Sequence, residues 1–309
     1  MSRRERRRER REQRENAATT VIAPGLEGGQ YKPLSPVDVE RIHQASLTVL
    51  ERVGIGVEDP ECQAIFAGGG ARVDTAKNRV YLSSSMVEAA LATAANSVTL
   101  YGRNDDRHNL NLGGRRVYMG TGGAAVKVLD LNGRVRESNL ADVAQIARLV
   151  DALDNIHFYL RPVVARDLSN ELLDINTYYA ALANTTKHVT GNCFTIESVR
   201  QVVEMGSMIA GSVEKLRERP FLSFVTSWTV SPLRYAAETV AVLTEIVRQG
   251  LPVFLSSAPQ AGATSPAALA GTLVQINAEE LSGLVYCNLI RPGAPVILGY
   301  VPSVSDLRT

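Results

Sequence analysis

Apolar residues first recur at a fixed period just past Leu34. Val39, Ile42, Val49, Leu50 and Val53, with the small Ser46, fall on one helical face behind Ser35, Pro36 and Asp38, and Gly54 ends the run. A serine hydroxyl can accept an orphan N–H of the first turn, proline fits the first helical position and an acid suits that end, so the pattern predicts a helix over 36–53. Helical spacing returns over 60–66 and 85–94, and between them Arg79-Val-Tyr-Leu82 reads as a strand. Residues 31–115 are expected to form a small N-terminal α+β cap.

From residue 116 the pattern changes. Short apolar or β-branched runs at 117–120, 157–162, 188–192, 221–226, 252–256 and 295–300 alternate with amphipathic stretches. Ser138, Thr195, Ser231-Pro232 and Ser265-Pro266 are the expected caps of those helices. Residues 126–131 return as a hairpin through Asn132-Gly133. Such a βα repeat suits a doubly wound sheet or a barrel, but no dinucleotide fingerprint follows the first run. The expected fold is therefore α/β, a (β/α)8 TIM-type barrel over 116–309 that is incomplete, with about six strands present. The last two strands are expected to be missing from this chain, which would leave an open edge.

Composition narrows the setting. At 45% hydrophobic content the chain can fill a core, and 33 Lys and Arg against 32 Asp and Glu leave no overall field for nucleic acid or membrane. The Arg/Glu block that opens the chain lacks apolar residues at core spacing, so 1–30 is expected to be a disordered, solvated tail. A nucleic-acid arm is the alternative, opposed by the interleaved Glu5, Glu9, Glu12 and Glu15. Cys62, Cys193 and Cys287 form no C-x-x-C pair or disulfide framework, which fits a reducing cytoplasm. No secretory apolar segment follows the basic start, and no run of about eighteen apolar residues suggests a membrane span.

Candidate chemistry gathers where the predicted strands end. Gly120-Thr-Gly-Gly123, with Thr121 in it, is either a plain turn or the wall of a pocket. Arg161 closes the second run, at the C-terminal face of a barrel, where it suits a substrate carboxylate or a structural ion pair. His188 lies in the first half of the third run and reads as a packed core histidine. Asn192 and Cys193 stand at the end of that run, and the thiol would need an adjacent base to act as a nucleophile. His43, His108 and His157 are scattered without an H-x-x-x-H pair, so no metal site is assigned.

Trp228, the only tryptophan, follows the fourth run. At a barrel mouth its face would hold a methylated ammonium, an attraction worth roughly 0.5 to 2 kcal/mol, with Tyr118, Phe194 and Tyr300 completing a cage; the alternative is core packing. Ser257 belongs to the small-residue stretch 256–264, which either leaves room for a ligand or makes a compact turn. No residue is assigned a catalytic role.

Several stretches taken in order carry a resemblance: Tyr118-Met-Gly-Thr-Gly-Gly-Ala-Ala125, Asn184-Thr-Thr-Lys187, Ser231-Pro-Leu-Arg234, Ala261-Gly-Ala-Thr264, Asn277-Ala-Glu-Glu280, Arg291-Pro-Gly-Ala-Pro295 and Asp306-Leu-Arg-Thr309. Pro33-Leu-Ser35, Ala45-Ser-Leu47 and Leu50-Glu51 add to it near the start. Together they resemble the trimethylamine methyltransferase family, corrinoid-dependent methylamine and glycine betaine methyltransferases. The resemblance implies transfer of a methyl group from a methylated amine, trimethylamine or a quaternary amine such as glycine betaine, to the Co(I) of cobalamin carried by a separate corrinoid protein. It implies no cofactor bound by the chain itself. A homo-oligomer is also expected. Some members of the family carry pyrrolysine, at a position beyond the matched region, so no residue here takes that role. Family barrels continue past the last motif, so the chain is expected to be C-terminally truncated. A non-catalytic methylated-amine-binding protein or an inactive gene fragment is the alternative.

Overall fold

The computed structural model describes residues 26–104 and 106–306. The tail expected over 1–30 falls almost wholly outside the described residues. Helix α1 (Pro36–Arg52) starts as its sequence predicts: Ser35 Oγ accepts the Asp38 N–H at 3.2 Å and the Asp38 carboxylate accepts the Ser35 N–H at 3.2 Å. Helices α2 (Pro60–Gly68) and α3 (Ser84–Thr93) follow, with Arg72–Asp74 and Arg79–Tyr81 paired antiparallel between them.

The centre of the molecule is a parallel sheet. Strands β1 (Phe158–Leu160), β2 (His188–Gly191), β3 (Leu222–Thr226), β4 (Val253–Ser257) and β5 (Val296–Tyr300) lie side by side in chain order. The crossovers are helices: α4 (Leu140–Ala152) leads into β1, α5 (Asn170–Asn184) into β2, α6 (Ile196–Ala210) and α7 (Val213–Glu218) into β3, α8 (Ala237–Gln249) into β4 and α9 (Leu269–Ile290) into β5. Sequential order with helical crossovers is the α/β arrangement that the βα rhythm predicts.

Alternation along the strands sets the two faces. On one face the helices press in: Tyr178 of α5 lies against Gly191 and 5.7 Å from the Phe224 ring, Gly206 of α6 admits Leu222, and Gly283 of α9 admits Leu255. On the other face Phe158 and Phe254 stack at 6.4 Å beside Ile297. Buried Val98, Leu100 and Leu110, from the hairpin of Val98–Leu100 with Leu110–Leu112, pack against them and so plug the N-terminal side of that face.

The first predicted strand, over 117–120, is not a strand of this sheet. Arg116–Val117 pairs antiparallel with Leu26–Glu27, and only Gly120 meets β1, through one parallel bridge to Phe158. The Phe158 ring fills the space: a Cβ on residue 120 would stand 2.3 Å from it. The hairpin after it does form, as Lys127–Leu129 with Val135–Glu137, and Asp130 Oδ1 accepts the N–H groups of Asn132 and Arg134.

Three predicted caps shift. Asn139 rather than Ser138 caps α4, because Ser138 donates its hydroxyl to the Val164 carbonyl at 2.6 Å. Ser231-Pro232 sits in the turn joining Thr229–Val230 to Arg234–Tyr235, and α8 begins only after Ala236. Ser265 bonds Thr272 across the first turn of α9, whose N-cap is Ala268. Thr195 caps α6 as predicted, accepting the Ser198 N–H at 3.0 Å.

The expected boundary at 115/116 is not a break in packing. Ile55–Gly56 joins Arg234–Tyr235 in one mixed sheet, and Ser46 Oγ of α1 lies 2.9 Å from the Val274 carbonyl of α9. A single apolar cluster runs from Leu47 and Val80 through Trp228 to Val285.

Candidate functional site

The C-terminal ends of β1 and β2 open into a cleft of about 700 Å³. The loop after β1 and the first turn of α5 supply Val164, Glu171 and Leu173, and the loop after β2 with the first turns of α6 supplies Phe194, Glu197 and Gln201. Phe194 is 60% exposed although its N–H is fixed at 2.8 Å on Asp174. Hydrogen bonding from Ser169 holds the Glu171 carboxyl below its ordinary range, so it stands ionised at the cleft. An aromatic face flanked by carboxylates is chemistry that suits an organic cation.

Behind the cleft wall lies Arg161, buried, with its guanidinium 5.6 Å from the Phe194 ring and 4.0 Å from Asp174 Oδ1. That spacing exceeds hydrogen-bond reach, and Arg161 Nε and Nη1 have no hydrogen-bond partner among the described residues. Burial pushes the Asp174 carboxyl up, against the opposing pull of the Phe194 N–H, Ser198 and Arg161. Asn192, at the mouth of β2, donates to the Val225 carbonyl at 3.0 Å.

The ends of β4 and β5 hold a second polar group, closed over by α9. Glu279 accepts from Ser231 Oγ and the Leu233 N–H at 2.9 Å, from Gln275 at 3.1 Å and from the Ser257 hydroxyl. Glu280 accepts the Ser257 N–H at 2.9 Å, while its other oxygen is buried without a partner among the described residues. Burial drives the Glu280 carboxyl up to about 8, the Glu279 charge adds to the rise, and the N–H groups of Ser257 and Gly299 oppose it. Tyr300 lies close enough to feel the Glu280 charge; burial first, then that charge, raises its phenol to about 12.

The predicted site residues thus fall into separate groups. Arg161 shares its surroundings with Phe194, and Ser257 and Tyr300 meet at Glu280. The four-membered aromatic cage does not assemble. Trp228 is fully buried, edge-on to Tyr235 at 6.4 Å and pressed on Gly283, where a Cβ would come within 2.6 Å of the indole. Tyr118 lies at the opposite, N-terminal side of the sheet, beside His157 and bonded to the Asn111 backbone. Tyr300 turns to Asn277 at 3.4 Å and is 46% exposed. Thr121 spends its hydroxyl on the β1 backbone, accepting the Leu160 N–H at 2.8 Å.

His188 is the packed core histidine its position suggested: it bonds Ser223 Oγ at 2.8 Å, and burial lowers it to about 4. The Cys193 thiol is buried and pushed well up. Sequence pattern assigns no chemistry to Glu279 and Glu280, although they stand as adjacent acids in the otherwise uncharged stretch from Ile276 to Ile290.

Comparison with known proteins fits this arrangement into a family. The sequence model of the trimethylamine methyltransferase (MTTB) family matches residues 3–309. Among curated proteins, the trimethylamine methyltransferase MttB of Desulfitobacterium hafniense strain DSM 10664 / DCB-2 is 35% identical over 284 residues, 92% of this chain and 57% of the relative. A glycine betaine methyltransferase of D. hafniense strain Y51 is 31% identical over 91% of this chain and 58% of its own length. MttB of Methanosarcina barkeri strain Fusaro is 33% identical, over 92% and 58%. The chain therefore spans under three-fifths of the length of these relatives, yet the match runs along nearly all of its own residues, and it belongs to the trimethylamine methyltransferase family.

Proposed function

We propose that the protein carrying this chain moves a methyl group from a methylated amine, trimethylamine or a quaternary amine such as glycine betaine, to the Co(I) of a corrinoid held by a separate protein. The observation that carries the reading is the β1–β2 cleft. In a chain of this family, it puts an exposed aromatic ring and two carboxylates together where parallel α/β sheets bind ligands, at the carboxyl ends of the strands. In this reading the five strands are an arc of a (β/α)8 barrel.

The amine nitrogen rests on Phe194 between Glu171 and Glu197, and Arg161 and Asn192 orient the rest of the substrate. Ser257 and Tyr300 belong to the far side of the same rim. When bound, the corrinoid supplies the nucleophile that accepts the methyl carbon. The C–N bond breaks with its electron pair left on nitrogen, so a quaternary ammonium departs as a neutral amine, whereas trimethylamine needs prior activation. The chain's task is positioning, which is the larger part of such an in-line displacement. The exposure of Phe194 leaves that seat open to a second protein. Three buried free thiols support a reducing, cytoplasmic setting, and self-association into a homo-oligomer completes the proposal.

The test is the full-length protein mixed with a corrinoid protein reduced to Co(I), followed by absorbance as each amine is added. Loss of the Co(I) spectrum with one amine is expected, slowed in Phe194→Ala. An unchanged spectrum across a panel of tertiary and quaternary amines would overturn the proposal.

A further inference from the structure

On the opposite side of the sheet, before β3, a second pocket of about 290 Å³ gathers cationic side chains. Arg103 comes from the link inside the 98–112 hairpin, Lys215 from α7, and Arg219 from the connection between α7 and β3. Phe221 and Ala210 supply apolar wall, and Glu218 is the one lining carboxylate among the described residues.

Two of the three cations are held in place. The Arg103 N–H is bonded to the Thr186 carbonyl at 2.8 Å, and its guanidinium leans on the Thr185 carbonyl at 3.4 Å. Arg219 lies 4.8 Å over the Tyr101 ring and is paired with Asp106. Their charges are unequally matched. Arg103 Nε is buried without a hydrogen-bond partner, and neither Arg103 nor Lys215 has an acidic partner among the described residues. The lysine ammonium sits above the left-handed turn at Gly211, 3.7 Å from where a Cβ there would stand, over the end of α6. Guanidinium forks and an ammonium lining one small concave space are the donors that a phosphate group takes.

We propose that this pocket binds a small phosphate-bearing anion, inorganic phosphate or a phosphate monoester. The bound anion bridges Arg103 on the plugging hairpin to Lys215 on α7, tying the plug to the underside of the sheet. The site is on the far side of the strands from the amine cleft, so its occupancy does not compete with the amine, and the inference stands whether or not the proposed methyl transfer does.

Calorimetric titration of the full chain with inorganic phosphate and with glycerol 3-phosphate, at constant ionic strength set by chloride, tests it. Saturable one-site binding is expected. Tighter binding of glycerol 3-phosphate points to an ester as the ligand, and equal affinities point to free phosphate. The double variant Arg103→Gln, Lys215→Gln should weaken binding about tenfold or more, equivalent to about 1.4 kcal/mol. Lys215→Gln alone, at an exposed position, should give a smaller loss in a chain whose cooperative melt is unchanged. Absence of saturable heat with both anions in a cooperatively melting chain, or equal affinity in wild type and the Lys215→Gln variant, would overturn it.

Discussion

At the β1–β2 end of the sheet's C-terminal edge, Arg161 and Asp174 stand 4.0 Å apart behind the exposed Phe194 ring. At the β4–β5 end, Glu279 and Glu280, consecutive residues of α9, are both buried over the strand ends, and the charge that adds to Glu280's rise is another acid. Both ends bury polar atoms that lack partners, but the consequences differ. Opposite charges offset part of what burial costs each of them, as Arg161 does for Asp174. Like charges in a sealed site cannot both ionise without great cost, so one of them holds a proton. An underpaired buried group therefore points to a ligand only where a route leads to it.

The comparison breaks most readily at Glu279. Its carboxylate gathers Ser231, the Leu233 N–H, Gln275 and Ser257 onto α9. Glu279→Ala leaves the buried Ser257 and Gln275 donors, and the half-buried ones of Ser231 and Leu233, without that acceptor and should cost about 3 kcal/mol or more in denaturant unfolding. A loss below about 1 kcal/mol would mean that water reaches this site, and the distinction between sealed and open ends would fail.

Glu280 sharpens the same contrast through pH. An unfolded chain releases this proton near 4.5, whereas the folded chain holds it to about 8. Between those values the folded state binds more protons, so stability falls as pH rises from about 4.5 and levels off above about 8. The full drop is on the order of 5 kcal/mol, and Glu280→Gln should flatten it. Unfolding free energies across that range check both statements; an equally steep fall in the variant assigns it elsewhere, with Asp174, whose carboxyl is also raised, the next candidate.

At the open end the effect on folding is smaller. Arg161→Ala removes an ion pair that makes no direct hydrogen bond, so about 1 to 2 kcal/mol of stability is expected to go, less than a well-bonded buried pair would lose. Arg161→Lys should recover little, because an ammonium cannot reproduce a fork held near an aromatic face. Full recovery with lysine would show that charge alone matters there.

The difference between the ends also explains what the sequence made legible. The βα rhythm locates each of the five paired strands to within two residues, because parallel strands covered by helices are short runs of apolar and β-branched residues. Helix α5 has no clear periodicity in the sequence, since Asp174 and Thr177 interrupt the apolar stripe of its buried face. Strand ends pointed to Arg161 and Ser257, but not to the face on which each side chain would lie. Trp228 follows β3 as expected, yet Gly283, 55 residues later, opens the space that draws its ring into the core. Glu279 and Glu280 are visible in sequence as adjacent acids, but their role is not, because their partners come from the turns around Ser231 and Ser257, and only the fold joins those to α9.

Phe194→Ala should change folding least and yet say most about the open end. The ring is 60% exposed, so its loss is expected to shift unfolding free energy by under about 1 kcal/mol. A methylated ammonium seated on that ring would lose its cation–π attraction, roughly 0.5 to 2 kcal/mol, which is a twofold to thirtyfold weaker dissociation constant. Titration of tetramethylammonium into wild type and variant reads this directly, and Glu171→Gln should weaken binding in the same direction by a smaller factor. If the variant binds the cation as tightly as wild type while Glu171→Gln weakens it, carboxylate charge alone holds the amine and the aromatic wall is incidental. If neither substitution matters, the cation sits elsewhere on the rim, and the exposed ring ceases to distinguish this end of the sheet from the sealed one.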